Sequence, residues 1–89
     1  MPVEEFILNK TLNIFPNPLR HGNDITVSFG SLITVKASLY SITGKKIFQV
    51  NIENQDRKVI NLTNLVNGVY MLKIEKGEAL VTRKIVIMK

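Results

Sequence analysis

The chain alternates apolar and polar residues with a period of two along most of its length, and turn residues interrupt it at roughly the 8–12-residue spacing of all-β domains. Residues 24–29 put Ile25, Val27 and Phe29 on one face and Thr26 and Ser28 on the other. Residues 69–75 repeat the pattern, with Tyr70, Leu72 and Ile74 opposed to Met71, Lys73 and Glu75. No segment carries a sustained stripe of period 3.6, and Thr63–Asn67 has room for one helical turn at most.

Seven strands are predicted: 11–15, 24–29, 36–42, 46–52, 58–62, 69–75 and 80–88. The last is apolar on both faces near its end (Ile85, Val86, Ile87, Met88), as expected of a strand buried between layers. Pro16-Asn17-Pro18 ends the first strand, because proline brings no N–H to a ladder. Thr43-Gly44-Lys45 reads as a tight hairpin, and Asn54-Gln55-Asp56 and Lys76-Gly77-Glu78 as two more turns. With 89 residues there is material for one core only. The fold expected is an all-β, immunoglobulin-like antiparallel sandwich of about seven strands, with a small barrel as the competitor. Tyr70, just after a corner, is placed to bond the backbone a few residues upstream, as a tyrosine does at the corner of such sandwiches.

Reactive chemistry finds little material. The chain has no cysteine, which removes disulfides, thiolate metal sites and thiol catalysis together. His21 is the only histidine, it lies in a loop beside Arg20, and no Gly-x-Ser-x-Gly surrounds any serine. The acids have neither calcium-loop nor zinc spacing, and the five glycines lie singly at turns rather than in a phosphate loop. The expectation is therefore no enzyme, no catalytic residue, no metal and no cofactor. No run approaches the ~20 apolar residues of a membrane helix, so no direct membrane insertion is expected.

The charge is +5, and it is one-sided. Residues 1–44 carry three basic and three acidic side chains, whereas residues 45–89 carry nine and four. A basic half suits anionic partners or simply keeps a small β domain soluble. Nucleic acid is not the expected partner, since Phe29 and Tyr70 point to the apolar side of their strands rather than forming a stacking platform.

Taken in order, the motifs form a set. Asn13-Ile14-Phe15-Pro16-Asn17-Pro18 precedes an alternating strand, Gly44-Lys45 marks a hairpin, Leu65-Val66-Asn67-Gly68-Val69-Tyr70 opens another strand, and Thr82–Lys89 is basic and apolar. Over residues 11–89 this resembles the C-terminal sorting domain (type A) of proteins exported by the type IX (Por) secretion system of Bacteroidetes. Residues 1–10, which include the apolar trio Phe6, Ile7 and Leu8, are then a linker or upstream segment. The resemblance implies a secretion signal at the end of a larger cargo protein, crossing the periplasm and finishing at the cell surface or outside. The implied partners are the type IX outer-membrane translocon and a sortase-like cysteine peptidase, which cuts before the domain and releases or anchors the cargo. The expected recognition surface is the final strand, Arg83, Lys84, Ile85, Val86, Ile87, Met88 and Lys89, read by edge pairing and charge. Structural roles are expected for Pro16, Asn17, Pro18, Gly44, Lys45, Leu65, Gly68 and Tyr70. The second reading is an immunoglobulin-like or fibronectin-like surface module that binds carbohydrate or protein, with Tyr40 or Phe48 as an exposed aromatic platform.

Overall fold

A computed structural model of the chain describes Leu8 and residues 10–89. Five strands carry it: β1 (Asn13–Phe15), β2 (Asp24–Ser41), β3 (Lys46–Asn61), β4 (Gly68–Lys76) and β5 (Ala79–Ile87). All pair antiparallel in one sheet, in the order β1-β2-β4-β5 with β3 along the other edge of β2.

The expectation of seven strands is corrected to five, and the difference has one cause. Segments 24–29 and 36–42 are two parts of β2, and 46–52 and 58–62 two parts of β3. The residues between them do not turn the chain back; they bulge. The β2–β3 register shifts between Ser28 and Ile33 and again between Ile33 and Val35. Gly30 takes φ 81° and Asn54 φ 52°, and the Asn54 N–H donates to Thr34 Oγ1 at 3.0 Å. A bulge needs the same left-handed residues as a turn, so Gly30 and Asn54-Gln55-Asp56 serve it equally well.

The bulge curls the sheet into two limbs. One holds β1 with the first part of β2 and the last part of β3. The other holds the first part of β3, the second part of β2, β4 and β5. Their inner faces share one core, with Ile25, Val27 and Phe29 from the first limb and Val35, Leu39, Ile52, Leu72, Ile74 and Ile85 from the second. Leu8 is buried in the same core, while the other residues of the expected apolar trio, Phe6 and Ile7, lie outside the described residues. The last strand is not apolar-buried on both sides: Ile85 and Ile87 are inside, Val86 is half-buried and Met88 is exposed.

The hairpin expected at Thr43-Gly44-Lys45 joins β2 to β3, with Gly44 at φ 93° and its N–H donating to the Ser41 carbonyl at 2.9 Å. Gly30 decides the larger geometry, because a β-branched side chain at its φ costs about 1–3 kcal/mol. Gly30→Val is expected to lower stability by that amount in urea denaturation; an unchanged midpoint would show that the curl does not depend on this glycine.

Candidate functional site

The motifs meet at one end of β5. β1 stops at Phe15, and both peptide bonds preceding Pro16 and Pro18 are cis. Between these prolines, Asn17 supplies in its side chain the donor and acceptor that a backbone residue would have offered. Its Nδ2 donates to the Lys84 carbonyl at 2.7 Å, and its Oδ1 accepts from the Val86 N–H at 3.1 Å. Leu19 continues the contact, its N–H donating to the Val86 carbonyl at 2.7 Å and its carbonyl accepting from the Met88 N–H at 2.9 Å. This is a parallel bridge between Leu19 and Ile87, and it nearly closes the curled sheet.

A second asparagine does the same work on the other side. Asn67 Nδ2 donates to the Lys89 carbonyl at 3.0 Å and its Oδ1 accepts from the Lys89 N–H at 3.1 Å. It extends the β4–β5 ladder beyond the Gly68–Ile87 pair. The Lys89 ammonium donates to Asn23 Oδ1. Tyr70 fixes the corner that carries Asn67, its buried hydroxyl donating to the Val66 carbonyl at 2.6 Å. Gly68 has space beside it, since an added Cβ would meet nothing nearer than Tyr70 Cε1 at 3.9 Å. An open cleft of about 530 Å³ lies here, between Asn67–Val69 and Val86–Lys89.

The expected recognition residues therefore divide. Ile85 and Ile87 are buried anchors, Val86 and Arg83 are half-buried, and Lys84, Met88 and Lys89 are exposed. Four backbone groups from Lys84 to Met88 already have partners in Asn17 and Leu19. A strand pairing with that stretch must first displace them. Leu65 packs partly buried against the core, and Lys45 belongs to the hairpin, its carbonyl accepting from the Ser41 N–H at 2.9 Å.

Leu19 and Asn23 belong to none of the quoted motifs, and Asn67 stands inside the Leu65–Tyr70 motif with no role assigned to it there. The available signal is Asn17 itself: between two prolines without N–H groups, its backbone N–H and side-chain amide are the only donors of the segment.

The groups gathered at this end are side-chain amides, backbone groups, a lysine ammonium and apolar side chains. His21 is exposed in its loop, and among the described residues no group of three or more His, Cys, Asp or Glu is arranged to hold a metal. The expected aromatic platform does not form. Phe48 packs partly buried against the core, whereas Tyr40 is on the opposite face with Lys73 Nζ 4.6 Å from its ring centroid.

Residues 13–88 match the secretion-system C-terminal sorting domain, Por_Secre_tail. The chain belongs to this family. No curated protein matches it. The sorting domain is a signal recognised by the type IX secretion machinery, and the family is not one of enzymes. A cargo that carries such a signal ends up at the cell surface or outside the cell. The match spans Asn17, Asn67 and all of β5, ending one residue before Lys89, so the dispersed motifs of the sorting domain lie within one structural unit.

Proposed function

We propose that this sorting domain directs a larger cargo protein across the periplasm and through the type IX outer-membrane translocon. A sortase-like cysteine peptidase then removes it, cutting within residues 1–10 or upstream, and the cargo is released or anchored at the surface. The domain proper is 11–89, although the burial of Leu8 draws the packed unit slightly further back. The observation carrying this reading is the convergence of the Pro-Asn-Pro, Asn-Gly-x-Tyr and C-terminal segments on one end of β5.

Recognition in this reading uses a preformed end. Asn17, Leu19 and Asn67 hold Lys84–Lys89 in a fixed register, so Arg83, Lys84, Val86, Met88 and Lys89 present one arrangement of charge and apolar surface to the translocon. Preorganisation removes the ordering cost that a flexible tail would meet on binding. Ile85 and Ile87 keep the strand seated from inside.

The test is transfer of the signal. The 89-residue chain, fused behind an inert periplasmic protein in a bacterium with a type IX system, is expected to deliver that protein outside the cell. Retention of the fusion in the periplasm, with the domain folded and intact, would overturn the reading.

A further inference from the structure

The sheet has two outward faces of opposite character. On the three-strand limb, the residues opposite the core include Asp24, Thr26, Ser28, Arg57 and the exposed pair Phe15 and Val59, so the face is neutral and partly apolar. On the four-strand limb, registry aligns Lys46, Tyr40, Met71 and Lys84 in one row across β3, β2, β4 and β5. The next row holds Gln49, Ser38, Lys73 and Thr82, and the one beyond it includes Lys36 and Glu75. Lys36 is offset by Glu75, with Nζ 3.9 Å from Oε2. Lys46, Lys73 and Lys84 have no acid opposite them in these rows. The basic excess of the second half of the sequence is thus partly concentrated on one side of the sheet.

We propose that this outer face is a docking surface for an acidic protein partner; it meets the end of β5 at Lys84 but is centred on β2 and β4, and it does not depend on the sorting reading. Lys46 and Lys84 lie three strand spacings apart, about 14 Å, with Lys73 set to one side. This is a triangle suited to carboxylates at fixed positions. Tyr40 and Met71, both half-buried, occupy the middle of the row, and aromatic and methionine residues ringed by polar groups are the composition of a protein interface.

Ser38 supplies a second, independent sign. It lies at the centre of the face at 1% exposure, and its Oγ has no hydrogen-bond partner. Its row neighbours engage each other's surroundings instead: Gln49 Oε1 accepts from Lys46 Nζ at 2.7 Å, and Lys73 rests over Tyr40. A partner carboxylate that engages Lys73, the cross-strand neighbour of Ser38, brings an acceptor toward this hydroxyl. A membrane is the poorer fit, because interfacial anchoring needs large apolar side chains directed outward, and the centre of this face offers two half-buried ones.

The experiment is a titration of the ¹⁵N-labelled protein with a synthetic twelve-residue peptide of alternating glutamate and threonine. Saturable amide shifts are expected at Ser38, Tyr40, Lys46, Met71, Lys73 and Lys84. Raising the salt to 0.5 M or introducing K46E/K73E/K84E is expected to weaken binding about tenfold or more. The control R20E/R57E/K76E, with the same change in net charge, is expected to stay within about twofold. Should the triple variant fail to fold, Lys73→Gln alone carries the comparison with a smaller loss. Shifts spread over all basic residues, equal loss in both charge-reversed variants, or binding to phosphatidylglycerol vesicles but not to the peptide would each overturn the proposal.

Discussion

Ile85→Ala is expected to cost about 2–5 kcal/mol, the largest effect of a single substitution considered for this domain. Ile85 is fully buried, opposite Tyr70 on β4 and inside the core shared by both limbs. A chain of 89 residues has a total stability of about 4–13 kcal/mol at the usual ~0.05–0.15 kcal/mol per residue. The variant therefore loses a large fraction of its margin, and a fused cargo is expected to stay inside the cell because its signal no longer holds a shape. Lys84→Ala, one residue away and exposed, is expected to change stability by less than about 0.5 kcal/mol. Urea denaturation of the two variants checks the assignment of faces on β5. Equal midpoints would mean that the register is wrong.

The second large effect is expected at Asn17. Asn17→Leu keeps the bulk of the side chain and removes both hydrogen bonds to β5, a loss of about 1–3 kcal/mol at ~0.5–1.5 kcal/mol each. The local consequence is sharper than the global one. The Val86 N–H donates to Asn17 Oδ1, so its hydrogen exchange is expected to accelerate about tenfold or more. The amides of Leu72 and Ile74, on β4 in the core, are expected to change only by the global loss of stability. In the fusion assay, export is expected to fall while the domain remains folded. Unchanged exchange at Val86 would remove Asn17 from its role as a clamp, and unchanged export would remove the fixed edge from the signal.

These two positions show how differently the residues announce themselves. Ile85 is legible from alternation alone, since period two assigns it and Ile87 to one face and Lys84 to the other. Asn17 is visible as part of a motif, but its partner is 69 residues away in sequence, and nothing in the local pattern points to β5. Tyr70 lies between these cases. Its place after a corner predicts a short-range bond, and the Val66 carbonyl four residues upstream accepts it.

The strand count exposes the limit of local reading. Asn54-Gln55-Asp56 has turn chemistry, and so does Gly30. A backbone that enters the left-handed region can either reverse or bulge, and the choice depends on whether the partner strand bends with it. Here β2 and β3 bend together from Ser28 to Val35, so seven short segments become five strands. The all-β class, the hairpin at Gly44 and the single core followed from residue type and spacing, because those properties are set by neighbours along the chain. Three features arose only in the folded chain: the curl of the sheet, the asparagine clamps on Lys84–Lys89 and the gathering of Lys46, Lys73 and Lys84 on one face. Each depends on cross-strand register between distant segments, and register is fixed by how the whole core packs.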